Sequence, residues 1–357
     1  MNNKKAQNRL LKTNLAKAQE RLFAKLSGLD VSSLKISRSS KKYLKSKIGE
    51  AKNMLGLYGR LLYLAMRQSD VLPENFVLVD YGGGNGLISF LALELGVGTV
   101  IYNDIFDVSC RDAAVVAKAL NLKISSIVSG DVDQLIEYLN NNSIKINAVV
   151  SYDVIEHIYD VKSHFEQLCS INSQGFSVIY ASGANKANPR YVRHIKKAQL
   201  EVEYKNREKT PDAKERDCLQ SYLAARRDII KAHAPTLDSK QVEELALATR
   251  GLIKSDIESC VDAFVACGSM GYKPNHPTNT CDPFTGNWCE HLMDLGWLES
   301  AVRESGFDVK ISPGFYGLAG SRAKGAAKLL LNGLIHLAGK RAMFAAPHFV
   351  VQAKKRT

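Results

Sequence analysis

Five carboxylates, three glycines and one imidazole carry most of the chemistry this sequence offers. Asp80 closes the apolar run Phe76-Val-Leu-Val, and Gly82, Gly84 and Gly86 follow it at alternate positions. Glycines there let the backbone come close to a ligand, because no Cβ stands in the way. Asp104 closes a second apolar run, 18 residues after Gly86. A carboxylate at such a strand end can accept both hydroxyls of a ribose. Asp131 follows a third run, and Asp153, Glu156 and His157 share the segment Asp153-Val-Ile-Glu-His-Ile158. An imidazole titrates near working pH, so His157 is a candidate general base; the plainer role is packing or bonding a helix start. Two carboxylates beside an imidazole also suit Mg²⁺ or Zn²⁺. No further ligand is identifiable, so a divalent metal is the disfavoured reading.

These residues need a scaffold that brings strand ends together. The Val-rich run before Asp80 reads as a strand buried on both faces, and 86–95 as a helix whose first amides point into the glycine turn. The dinucleotide fingerprint Gly-x-Gly-x-x-Gly is not met, since Leu87 stands where its third glycine would be. Strands at 99–104, 124–128, 146–152 and 176–180 alternate with helices at 108–120, 132–140 and 160–170, which predicts a parallel sheet with right-handed crossovers. The expected fold class is therefore α/β, a doubly wound, Rossmann-like sheet. Two later strands, 307–312 and 348–354, bring the strand count to seven. A helix over 288–304 ends at Gly306.

The pattern Asp80-x-Gly82-x-Gly84-x-Gly86 resembles motif I of the class I S-adenosylmethionine-dependent methyltransferases. The Asp153-to-Ile158 segment is similar to one found in family members that act on quinone precursors and other small molecules. The resemblance covers 71–183 well and the tail from 287 more loosely. It implies S-adenosylmethionine as cofactor, with Asp80 near its ammonium group, Asp104 on the ribose and Asp131 on the adenine amino group. Cofactor contacts are then expected from Asp80, Tyr81, Gly82, Gly84, Gly86, Asp104, Ile105, Asp131, Val132, Tyr152 and Asp153, with His157 and Glu156 catalytic. It also implies a sixth strand followed by an antiparallel seventh.

Residues 184–286 leave the strand pattern and are helical and charged. About 100 residues exceed any ordinary loop, so an inserted helical lid or acceptor subdomain is expected, with the core sheet completed over 287–357. The polar stretch from His276 to His291 holds Cys281 and Cys289, but its spacing fits no zinc pattern. Asn287, Trp288 and His291 are its candidate acceptor contacts. A helix over 321–340 is apolar around most of its surface, with Lys324, Lys328, Asn332, His336 and Lys340 stepping along one stripe. It packs into a groove or lies in a bilayer interface, and packing is the commoner fate.

The net charge of +12 is concentrated, since residues 1–70 hold 16 Lys and Arg against 4 Asp and Glu. Within them, 4–26 read as an amphipathic helix with Leu11, Leu15, Ala18, Leu22 and Leu26 on one face. This basic helical arm suggests an anionic partner. An anionic membrane surface met through 1–30 is preferred to nucleic acid, because the rest of the chain shows no aromatic-and-basic module. Seven cysteines without framework spacing and no signal-peptide core point to a cytoplasmic protein, peripheral on the inner membrane face. The expected activity is O-methylation of a small-molecule, glycan or lipid-linked acceptor. An RNA methyltransferase and a non-catalytic cofactor-binding scaffold are the competing readings.

Overall fold

The computed structural model describes residues 2–67, 69–208, 218–274, 276–317 and 322–356. Among them, β1 (Val77–Tyr81), β2 (Thr99–Asp104), β3 (Ser126–Ser129), β4 (Ala148–Tyr152), β5 (Ser177–Ser182), β6 (Phe307–Pro313) and β7 (Phe349–Lys355) form one sheet. Its order is β3-β2-β1-β4-β5-β7-β6. β1 to β5 run parallel, and β7 inserts antiparallel between β5 and β6. The fold is thus the doubly wound α/β sheet expected, with the antiparallel seventh strand in place. Strand order reverses between β1 and β4, and open sheets bind ligands at the carboxyl ends of strands at such a point.

The chain divides into two compact units. The sheet unit comprises 1–155, 161–182 and 296–357, and the second comprises 156–160 and 183–295. In the sheet unit, α1 (Asn2–Ser27), α2 (Arg38–Gly49) and α3 (Ala51–Met66) precede β1. α2 and α3 are separate helices because Glu50 leaves helical geometry at φ −108°, ψ 13°. α4 (Leu87–Leu95), α5 (Asp107–Ala119), α6 (Val132–Asn141) and α7 (Val161–Ser170) connect the parallel strands.

α1 is not a free arm. Its Leu15, Ala18, Leu22 and Leu26 are buried in one core with Leu61 and Leu62 of α3 and Phe90 and Leu91 of α4. Arg21 and Lys25 both pair with Glu94 at the end of α4. The leucine face that a lipid-inserting arm would present is therefore spent on the protein's own core.

The second unit contains α8 (Pro189–Tyr204), α9 (Tyr222–His233), α10 (Ser239–Ala248) and α11 (Lys254–Cys267). Leu223, Ile230, Val242, Leu245, Ile257 and Val261 form its apolar core. A polar knot ties it together: fully buried Arg226 places Nη2 2.5 Å from Glu203 Oε1, and Arg250 Nε donates to the same oxygen at 3.0 Å. Burial alone would raise the Glu203 carboxyl. Arg226 foremost, then Thr280 and Arg250, outweigh it and hold the group below its ordinary value.

α12 (Leu295–Glu304) and α13 (Arg322–Ala338) complete the sheet unit. The helix expected from Trp288 starts only at Leu295. Upstream, Trp288 bridges to Cys281 as a strand-like pair, and Glu290 adopts φ 53°, which a helix does not allow. The first residue of the helix expected at 321–340 lies outside the described residues, and α13 ends at Ala338 in a 3₁₀ turn. That helix was expected to pack, but most of its leucines stay exposed: Leu329, Leu330, Leu334 and Leu337 face solvent and only Ile335 is buried.

Candidate cofactor and catalytic residues

The glycine turn is built on left-handed backbone. Gly82, Gly84 and Gly86 have φ of 65°, 53° and 80°. A Cβ on Gly82 would stand 2.5 Å from Val154, and one on Gly86 would stand 2.7 Å from the Phe90 ring, so both positions are closed to other residues. Gly84 has nothing within 4 Å of such a Cβ. The crest of the turn is open on the side a ligand would approach. Tyr102 supports it from beneath, its hydroxyl donating to the Gly84 carbonyl at 2.6 Å.

Asp80 lies fully buried under the turn. Its Oδ2 accepts from both the backbone N–H and the hydroxyl of Ser89, at 2.9 and 2.7 Å. Its Oδ1 is buried and has no hydrogen-bond partner. Burial pushes the carboxyl up to about 7, the Ser89 bonds oppose the shift, and the charge of Asp104 adds to it. A buried acceptor left unmatched is costly unless a donor arrives. An ammonium group brought to Oδ1 would supply both the donor and the balancing charge.

Asp104 ends β2 with each carboxylate oxygen already anchored. Oδ2 accepts from Gly84 N–H and Oδ1 from Phe106 N–H, both at 2.9 Å. Those bonds hold the group rigid at the strand end. Ile105 beside it is exposed, an apolar surface suited to a purine face. Asp131 is exposed and caps α6, accepting from Asp133 N–H at 2.9 Å, whereas Val132 is buried. Tyr81 turns its ring into the core, 6.2 Å from Tyr180 and nearly parallel to it, so only its backbone borders the turn. The residues present thus fit S-adenosylmethionine: an unmatched acid for its ammonium, an open glycine crest and an anchored ribose acceptor.

At the end of β4, Asp153 holds φ 54°, and its N–H donates to the Ala181 carbonyl at 2.9 Å. A non-glycine residue in that region costs about 1–3 kcal/mol and is common at ligand sites. It redirects the chain so that Val154 covers Gly82. Tyr152 is half-buried, edge-on to Tyr58 of α3 and to His348.

The sequence reading missed α2 as part of this site. Ser37 caps the helix and donates its hydroxyl to Asp112, and Asn85 of the glycine turn donates to the Ser40 carbonyl. Tyr43 is raised by burial first, lowered by Lys47, and raised again by the charges of Asp153 and Asp104. Its hydroxyl therefore feels the acids at the ends of both β2 and β4. The Lys47 ammonium sits 4.8 Å from the Tyr43 ring centre and 6.0 Å from that of Tyr152. The one available signal was the i, i+4 spacing of Tyr43 and Lys47 on a helix beginning at a serine cap.

His157 and Glu156 belong to the second unit. His157 Nδ1 lies 2.9 Å from the Trp288 carbonyl, and Nε2 lies 3.9 Å from Glu290 Oε1. A carbonyl only accepts, so the His157 Nδ1–H donates to it, and Nε2 faces the Glu290 carboxylate. Glu156 is fully buried, and its backbone carbonyl accepts from His291 N–H. Trp288 stacks on His291 at 4.1 Å and on Tyr159 at 5.9 Å, and its indole N–H donates to the Tyr159 carbonyl. Both rings are largely buried, and burial lowers His291 to about 4. Asn287 is half-buried in the same loop. The Cys289 thiol is pushed up to about 11 and Cys281 is raised further, in both cases by burial first. Among the described residues, no group of three or more His, Cys, Asp or Glu is placed to hold a metal ion.

No protein-family model matches the chain, and no curated protein matches it. Among solved structures it is similar to the plantazolicin methyltransferase BpumL in complex with SAH, at 12% identity and TM-score 0.40 over 99% of each chain. It is similar to the plantazolicin methyltransferase BamL, at 11% identity and TM-score 0.41 over 99% of each chain. An S-adenosylmethionine-dependent methyltransferase from Mesorhizobium loti is similar at 12% identity and TM-score 0.39, over 83% of this chain and 96% of that one.

Proposed function

We propose that this chain is an S-adenosylmethionine-dependent methyltransferase acting on a hydroxyl of a small-molecule, glycan or lipid-linked acceptor. The observation that carries the reading is Asp80, with a buried, unmatched carboxylate oxygen beneath an open glycine turn where strand order reverses. When bound, the cofactor supplies an electrophilic methyl group for in-line displacement. Asp80 would hold its ammonium, Asp104 its ribose, and Ile105 one face of its adenine. Tyr58, buried edge-on to Tyr152, would keep water from that end of the sheet. His157 supports oxygen as the methylated atom: with Nδ1 donating to the Trp288 carbonyl, Nε2 is set to receive a hydroxyl proton. Such a base contributes roughly 10²–10⁴-fold to turnover.

Titration calorimetry of Asp104→Ala against the wild type tests the cofactor site. Loss of hydrogen bonds to a charged acceptor is expected to cost about 1.5–3 kcal/mol of S-adenosylmethionine affinity. An unchanged affinity removes Asp104 from the site, and a wild type that binds no S-adenosylmethionine removes the reading. Methyl-labelled cofactor incubated with cell extract, read by mass spectrometry, then identifies the acceptor class.

A further inference from the structure

α13 is amphipathic the wrong way round for a helix on a protein surface. Its inward side is fixed by Ile335, which is buried, and by Asn332, whose side-chain amide both accepts from Tyr316 N–H and donates to the Tyr316 carbonyl, each at 2.8 Å. The opposite side carries Leu329, Leu330, Leu334 and Leu337, exposed by 60, 73, 63 and 85%. Between Leu329 and Leu337 the other exposed positions are Gly333 and His336, and the exposed Ala326 and Ala327 precede them. Phe344 in the following 3₁₀ turn is 64% exposed as well. An apolar face of this kind marks an interaction surface.

The surrounding charge says what covers it. Of the nine Lys and Arg from 309 to 357, Lys310, Lys354, Lys355 and Arg356 lie on or beside β6 and β7, and Lys340 pairs with Glu299 of α12 at 2.7 Å. Lys324 and Arg341 are exposed at the two ends of the apolar face. Apolar residues bounded by cations are what an anionic lipid interface takes up, with the leucines among the acyl chains and the cations at the headgroups. A second copy of the chain fits poorly. A helix of 17 residues is about 25 Å long and about 10 Å wide, so two such faces would bury roughly 500–600 Å², against the ~1,200 Å² of a stable interface. Two copies would also bring like charges together. None of the described helices is long and apolar enough to cross a membrane, so the helix would lie in the interface plane.

We infer that the outward face of α13 is a docking surface for anionic membranes. It stands independently of methyl transfer, and it moves the expected lipid contact from the N-terminal helix to the C-terminal one. The test is co-sedimentation of the full chain with phosphatidylcholine vesicles, with and without phosphatidylglycerol. Wild type is expected on the vesicles containing phosphatidylglycerol and not on the neutral ones. Leu330→Asp with Leu337→Asp should weaken that binding by roughly tenfold or more for each leucine. Both side chains are exposed, so melting temperature and S-adenosylmethionine binding should not change. Three outcomes would overturn the inference: no vesicle binding by wild type, equal binding by the double variant, or a wild-type dimer in light scattering that the double variant abolishes without any vesicle binding.

Discussion

α1 and α13 are two leucine-, alanine- and lysine-rich helices of the same unit, and they end in opposite situations. Leu15, Leu22 and Leu26 of α1 are at most 4% exposed, whereas Leu330 and Leu337 of α13 are 73 and 85% exposed. The difference lies in what surrounds each helix. α3 and α4 present Leu61, Leu62, Phe90 and Leu91 to α1, and Glu94 meets two of its cations. The side of α13 that holds Ile335 and Asn332 is turned inward, and Leu329, Leu330, Leu334 and Leu337 are left exposed. An amphipathic pattern states that a face must be covered, not whether the cover is protein or lipid.

Deleting residues 1–30 should produce the largest effect. Burying Leu15, Leu22 and Leu26 is worth about 1.5–3 kcal/mol each, roughly 5–9 kcal/mol together. A whole domain is stable by only about 5–15 kcal/mol. The truncated chain is expected to lose its cooperative thermal transition and, with it, cofactor binding. If it melts like the full chain in circular dichroism, α1 is an appendage after all and the contrast with α13 disappears.

A matched pair of substitutions sharpens the contrast. Leu22→Ala should lower stability to urea by about 2–5 kcal/mol, because it opens a cavity in a closed core. Leu337→Ala should change it by less than about 0.5 kcal/mol. Equal losses would mean that α13 is covered in solution by something the exposed face already binds.

The sheet and the helices α4 to α7 that connect its strands were legible in the sequence, and the packing of α1, α2 and α13 was not, for one physical reason. Strand ends, the glycine turn and Asp104 are fixed by local rules: burial on both faces, positive φ, and an acid where a strand stops. What α1, α2 and α13 pack against depends on contacts far along the chain. Tyr43 and Lys47 were missed because a serine-capped basic helix looks like solvent-facing charge until Asp104 and Asp153 are placed beside it. Trp288 and His291 read as acceptor contacts from composition, yet stacking and burial account for both rings. The break at Glu290 needed its positive φ to be seen.

The smallest expected effect separates the two helices by proton count. Tyr58 of α3 is buried, and its hydroxyl is pushed up by burial foremost, with the charges of Tyr43, Tyr152, Asp153 and Asp80 adding to it. The N-terminal helices thus help to keep the Asp80 side of the glycine turn dry, and α13 has no such part. Asp80 is raised from 3.8 to about 7 by burial. Between those two values the folded chain holds a proton that the unfolded chain has released. Stability therefore falls as pH rises through that window and levels off above it. A cofactor ammonium favours the ionised carboxylate, so binding should expel the proton. Calorimetry in two buffers of different ionisation enthalpy should show about half a proton released at pH 7, and nearly a whole one at lower pH. Asp80→Asn should abolish the release, and Leu337→Ala should leave it unchanged. Binding without proton release in the wild type would mean that Asp80 does not meet the ammonium, and the acid under the turn would then serve only to hold Ser89.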